Sequence, residues 1–152
     1  MPDSKAGQKV PAFEESLAGI ILGAKEAVIA PMRSKLHEFD ITEAQWRVLR
    51  VINERGKVDA TALAEVGLLR GPSVTRILQQ LEKRSLIIRK IDATDRRRTM
   101  IVLSPGGQAV VNILTRDVVY YTAAFQKRFG AERISALAAE LKALTEAIKD
   151  IE

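Results

Sequence analysis

The sequence predicts a mainly α fold with one small β-hairpin, and three observations carry that expectation. Apolar residues recur at the helical interval along much of the chain. Helix-start and helix-stop residues punctuate these periodic runs. Between residues 86 and 103, two short apolar runs flank a polar loop, the pattern of a hairpin.

Taken in order, residues 1–10 are polar and read as a frayed tail with no signal-peptide apolar region, which points to a chain that stays in the cytoplasm. Phe13, Leu17, Ile20, Ile21, Ala24 and Val28 fall at helical spacing and predict an amphipathic helix from Phe13 to about Ala30. Pro31 is expected to end or kink it, with Met32 to Phe39 resuming as a short helix, since proline is tolerated in a first turn. Thr42-Glu43-Ala44-Gln45 fits a capping box, and Ile41 with Trp46 fits the hydrophobic staple around it. A helix therefore starts at Thr42, turns Trp46, Leu49 and Ile52 inward, and closes at Arg55-Gly56. Asp59 caps a two-turn helix over Ala60 to Val66, which Gly67 ends.

After a turn at Leu68 to Gly71, the segment Pro72 to Arg84 carries Val74, Ile77, Leu78 and Leu81 at i, i+3, i+4 and i+7. At about 100° per residue, the opposite face collects Thr75, Arg76, Gln79 and Lys83. Two short helices, a tight turn and a longer polar-faced helix form a helix-turn-helix pattern. The hairpin that follows, Leu86 to Ile91 and Thr99 to Leu103, is its wing, with Arg96, Arg97 and Arg98 near the tip. Ser104-Pro105 starts another helix, which Phe129-Gly130 ends. Ile134, Leu137, Leu141, Leu144, Ile148 and Ile151 then repeat at intervals of 3 and 4, a heptad seam that must pack on something. The resulting organisation is a tail at 1–10, a dimerisation helix at 11–40, a reader at 41–103 and dimerisation helices at 104–152, within one compact domain. Phe13, Leu17, Ile20, Ile134, Leu137, Leu141, Leu144 and Ile148 are the expected contacts with a second copy, although intramolecular packing of the seam stays open.

Composition narrows the function. With 152 residues, 47% hydrophobic, the chain can bury a core, and no apolar run is long enough for a membrane span. Lysine and arginine number 24 against 19 acidic residues, a balance that favours an anionic partner. Zero cysteines exclude disulfides and thiol switching, and a single histidine argues against a transition-metal site, so no metal or cofactor is expected. Serines lack a histidine partner, and Gly106-Gly107 lacks the lysine and spacing of a P-loop, so an enzyme is not expected.

A major groove accepts one helix and is read by side chains that present paired donors and acceptors. Arg76 suits guanine, Gln79 suits adenine, and Thr75 suits phosphate or a thymine methyl; Ser73 and Lys83 join them as candidate DNA contacts. A solvated surface helix shows the same pattern. The arginine run adds a second feature, because a cationic wing tip fits a narrow minor groove. Trp46 reads as core, with stacking on a ligand as the alternative.

The capped helix with Trp46, Leu63-Ala64-Glu65, Pro72-Ser73-Val74-Thr75-Arg76 and Leu81-Glu82-Lys83-Arg84-Ser85-Leu86 together resemble the MarR family of bacterial winged-helix regulators. The wing, Asp92-Ala93-Thr94-Asp95-Arg96-Arg97, and the Leu103-Ser104-Pro105-Gly106-Gly107 that follows are similar to the family's wing and its sequel. Ala93 replaces a usual proline, Ser104 a frequent threonine, and Ser85 a common helix-ending glycine. The resemblance implies a cytoplasmic homodimer on double-stranded DNA, repressing transcription from a pseudo-palindromic operator. It also implies that Arg96 is the inserted wing side chain and Asp95 the residue that shapes the wing. An anionic aromatic effector would sit between the dimerisation helices and the reader, with Arg33, His37 and Trp46 as its candidate contacts. Leu68-Leu69-Arg70-Gly71-Pro72-Ser73 further resembles the branch that represses aromatic-acid catabolic genes. The competing classes are a winged-helix module for protein assembly without sequence-specific DNA binding, and a hydrolase with a carboxylate-only metal site.

Overall fold

The computed structural model describes residues 9–151, so the expected tail lies mostly outside the described residues. A 3-10 turn at Phe13–Glu15 leads into helix α1, Leu17–Glu38, whose first turn is capped by Ser16: its Oγ accepts from the Gly19 N–H at 3.0 Å. Of the two outcomes expected at Pro31, an end to the helix does not occur, and α1 runs through it. An interior proline removes one backbone hydrogen bond. Here Met32 and Leu36, one turn apart, are buried in the core and hold the following turns in helical register against it.

Helix α2, Glu43–Arg55, starts with the expected reciprocal cap. Thr42 Oγ1 accepts from the Gln45 N–H at 3.1 Å, and Gln45 Oε1 accepts from the Thr42 N–H at 3.0 Å. Gly56 closes α2 at φ 76°, a backbone conformation suited to glycine. Asp59 caps α3, Ala60–Val66, by accepting from the Ala62 N–H at 2.8 Å. Helix α4, Gly71–Lys83, has a proline in its first turn. Strands β1, Ile87–Ile91, and β2, Thr99–Leu103, pair antiparallel from Ile87↔Leu103 to Ile91↔Thr99. Val58 adds a bridge to Ile101, which ties the strand-like link before α3 to the wing. Helices α5, Pro105–Phe129, and α6, Ala131–Ile148, complete the chain.

The core gathers the inward stripes of the reader: Val48, Leu49 and Ile52 of α2, Leu63 of α3, and Val74, Leu78 and Leu81 of α4. Ile87 and Ile101 close it from the hairpin, Val111 and Leu114 from α5. Where α5 begins, Ser104 N–H donates to the Leu86 carbonyl at 3.0 Å and Ser104 Oγ donates to the Ser85 carbonyl at 2.6 Å. Gly107 is required there, since a Cβ would lie 1.9 Å from the Leu86 carbonyl oxygen. Ser85 itself ends α4 in the left-handed region at φ 58°, the conformation that a helix-ending glycine adopts most easily.

The chain ends contrast with this closed core. No residue of α6 is buried, and Phe13, Leu17 and Ile20 are 70%, 58% and 56% exposed. Leu137, Leu141 and Ile148 are exposed as well, and Ile134 and Leu144 only half-buried. Helix α5 adds Ile113, Val119 and Tyr120 to this open apolar surface, three residues that the periodicity had not singled out.

Candidate nucleic-acid interface

Burial of Val74, Ile77, Leu78 and Leu81 fixes which way α4 faces. Thr75, Arg76, Gln79 and Lys83 consequently stand exposed on its outer side, with Ser73 half-buried at its first turn. The Thr75 hydroxyl donates back to the Gly71 carbonyl at 3.2 Å, so its free capacity is as an acceptor, with its methyl left for apolar contact. The neighbouring Gln80 is occupied within the fold, its Oε1 accepting from Gln45 Nε2 at 3.1 Å.

The wing is shaped by carboxylates. Asp92 is buried and its Oδ1 accepts from the Thr94 N–H at 3.1 Å and the Thr94 hydroxyl at 3.0 Å. The Thr94 amide, then its hydroxyl, hold the Asp92 carboxyl below the usual carboxylate range. Asp95 Oδ1 accepts from the Arg97 N–H at 3.0 Å and from Arg97 Nε at 3.2 Å, while the Asp95 carbonyl accepts from the Arg98 N–H at 3.0 Å. Asp95 therefore closes the tip on itself.

These bonds divide the arginine run into three situations. Arg98 Nη2 pairs with Asp59 Oδ2, joining the wing to the cap of α3. The Ala62 amide, then Arg98, lower the Asp59 carboxyl, and Asp59 in turn raises the Arg98 guanidinium. Arg97 lies along Asp95, and Arg96 is exposed with no ion pair among the described residues. Arg89, on β1, is drawn to Glu82 of α4 at 2.6 Å. A run of like charges in sequence has become one exposed cation with no ion pair among the described residues, one exposed cation paired within the turn, and one strut.

Behind the reader lies a cavity of about 670 Å³. Its walls come from α1 (Val28, Met32, Leu36), α2 (Trp46, Arg47, Arg50), α5 (Tyr121, Phe125, Arg128) and α6 (Ile134, Leu137). Trp46 is both core and cavity wall. Arg33 and His37, two of the expected effector contacts, are not among the residues that line it. Met32 and Leu36 point inward, so the next residue on each turn is rotated by about 100° towards solvent. Arg33 instead pairs with Glu26 at 2.8 Å and approaches Glu43, a cavity residue, at 3.8 Å. The cations that do reach the cavity are Arg47, Arg50 and Arg128, and the buried Arg47 Nε has no hydrogen-bond partner among the described residues. Sequence spacing carried no signal for Arg47, which falls about 160° round the helix from the centre of the Trp46, Leu49 and Ile52 stripe.

A helix-turn-helix with an outward polar face, a wing with an outward arginine, and long helices at both chain ends define a winged-helix DNA reader. Residues 39–98 match the MarR family model. The transcriptional regulator FarR of Neisseria gonorrhoeae is 30% identical over 131 residues, covering 84% of this chain and 90% of that protein. The homoprotocatechuate degradative operon repressor of Escherichia coli is 30% identical over 125 residues, covering 82% and 84%. Among solved structures, NadR in complex with 4-hydroxyphenylacetate superposes with a TM-score of 0.78 at 28% identity, covering 95% of this chain and 99% of that one. The chain belongs to the MarR family and is a DNA-binding transcriptional regulator.

Proposed function

We propose that the protein is a homodimeric repressor of a pseudo-palindromic operator, and that an aromatic carboxylate in the cavity behind the reader weakens its grip on DNA. The cavity carries this reading, because its occupant would touch α2 of the reader and the chain-end helices α1, α5 and α6 together. Trp46, Tyr121, Phe125 and Phe129 supply aromatic walls, and Arg47, Arg50 and Arg128 supply cations for a carboxylate. The open apolar faces of α1, α5 and α6 support a second copy as their cover. Two-fold pairing would set the recognition helices about 34–36 Å apart, one helical turn of DNA. A ligand that prefers a different spacing weakens DNA binding by the factor by which DNA weakens ligand binding. The named relatives, a degradative operon repressor and a regulator crystallised with 4-hydroxyphenylacetate, agree with this class of effector.

Trp46 is the only tryptophan, so its fluorescence reports on the cavity directly. Titrating 4-hydroxyphenylacetate and related aromatic carboxylates should change that fluorescence and weaken operator binding in an anisotropy assay by about 5–150-fold. Ligand binding that leaves operator affinity unchanged would defeat the coupling, and absence of binding at millimolar concentration would defeat the effector class.

A further inference from the structure

Arg84 caps the C-terminal end of α4, directly after Lys83. A basic residue at the end of a reading helix is ordinarily counted as a phosphate contact. Its guanidinium is engaged elsewhere: Nη1 donates to the Asp40 carbonyl at 2.6 Å and Nη2 to the Phe39 carbonyl at 2.7 Å. Phe39 is the C-cap of α1, where carbonyls without helical partners carry the negative end of the helix dipole. Two bonds from one planar fork fix orientation as well as distance, which a point charge cannot do. One turn earlier, Gln80 is tied to Gln45, itself locked in the reciprocal cap with Thr42. The C-terminal half of α4 is thus fastened at two points, to the end of α1 and to the start of α2. Both helices also line the cavity, α1 through Met32 and Leu36, α2 through Trp46 and Arg47.

We propose that Arg84 is a positioning residue for operator reading: it fixes the recognition helix to the α1 wall of the cavity and contacts no phosphate. The proposal rests on α4 being the element that reads DNA. Val74, Ile77, Leu78 and Leu81 still hold α4 in the core when the fork is lost, so folding persists while the aim of Gln79 and Lys83 is loosened. Movement of the α1 wall is passed to α4 through this fork as a displacement of its C-terminal turn.

The test compares the full-length wild type, Arg84→Ala and Arg84→Lys on a duplex selected by the wild type from a random library, and on a scrambled duplex, across a salt series. In both variants the ratio of selected to scrambled affinity should fall by about tenfold, the size of one lost base-pair preference. The slope of log affinity against log salt should stay at the wild-type value in both, since no phosphate contact is removed. A slope shallower by about 0.9 in Arg84→Ala, with wild-type behaviour restored by lysine, would make Arg84 a phosphate contact and overturn the proposal. A lowered Tm with the affinity ratio intact would reduce Arg84 to a stabilising residue and overturn it equally. Should Arg84→Ala fail to fold, Arg84→Lys decides the matter alone, because it keeps the charge and loses the fork. A wild type that selects no sequence from the library would instead defeat the DNA-reading role of α4, and the proposal with it.

Discussion

The reader and the chain ends bury their apolar residues by different means. In the reader, α2, α3, α4 and the hairpin turn their stripes towards one another, and Val48, Leu49, Ile52, Leu63 and Leu81 have no exposed surface. At the ends, Leu17 and Ile20 of α1 and Leu137, Leu141 and Ile148 of α6 stay exposed, and no residue of α6 is fully buried. Apolar area left in water forgoes about 25 cal/mol per Å². The reader's fold is therefore a property of one chain, while the placement of two readers is a property of a pair. A regulator needs that division if its reading head is to stay intact while the distance between heads changes.

Two substitutions of one residue type test the division most severely. Leu49→Ala leaves a cavity in the closed core and should cost about 2–5 kcal/mol of stability, read from urea unfolding. Leu141→Asp places a charge on the open seam, where Leu141 is 40% exposed. It should leave circular dichroism and Trp46 fluorescence unchanged but shift light scattering from dimer to monomer, with operator affinity falling along with it. Unfolding of Leu141→Asp as severe as that of Leu49→Ala would erase the distinction between the regions.

The same division explains what the sequence disclosed. Residues whose roles follow from local spacing were legible: the capping box at Thr42, the cap at Asp59, the buried stripe of α4 and the two strands of the wing all stand where periodicity and turn chemistry place them. Pro31 does not end α1, because a local rule, the lost hydrogen bond, acts there against the tertiary anchors Met32 and Leu36. The cavity cations were missed because Arg47, Arg50 and Arg128 converge only once α2 and α5 meet, whereas Arg33 and His37 were named from the family resemblance. The fork of Arg84 spans 44 and 45 residues, a separation at which no spacing rule operates.

Within the reader, the comparison sharpens to neighbouring arginines. Arg96→Ala should lower operator affinity by about 1–3 kcal/mol with Tm unchanged, because the side chain is exposed and has no ion pair among the described residues. Arg98→Ala should do the reverse, lowering Tm as the wing loses its strut to Asp59, with the smaller change in affinity. Salt-controlled titration beside thermal unfolding separates the two. Equal losses of affinity in both variants would show that the wing acts through its summed charge, and that the partition seen in the structure has no energetic counterpart.

The smallest expected effect concerns that strut and depends on pH. The Asp59 carboxyl is held below its ordinary value first by the Ala62 amide and then by Arg98. A carboxyl with a depressed folded pKa contributes stability that is present above its unfolded value, near 4, and is lost as pH falls through the folded value. Asp92, in the wing itself, carries a shift of the same sign, so the acid loss has at least two sources. Asp59→Asn keeps an acceptor for the Ala62 N–H and removes the charge that faces Arg98. Because this pair is partly solvated, its loss at neutral pH should amount to less than about 1 kcal/mol. The stability difference between wild type and Asp59→Asn should shrink as pH drops below about 4. A difference that stays constant down to pH 2 would place the contribution of Asp59 in its cap geometry alone, leaving the ion pair with no share in holding the wing to α3.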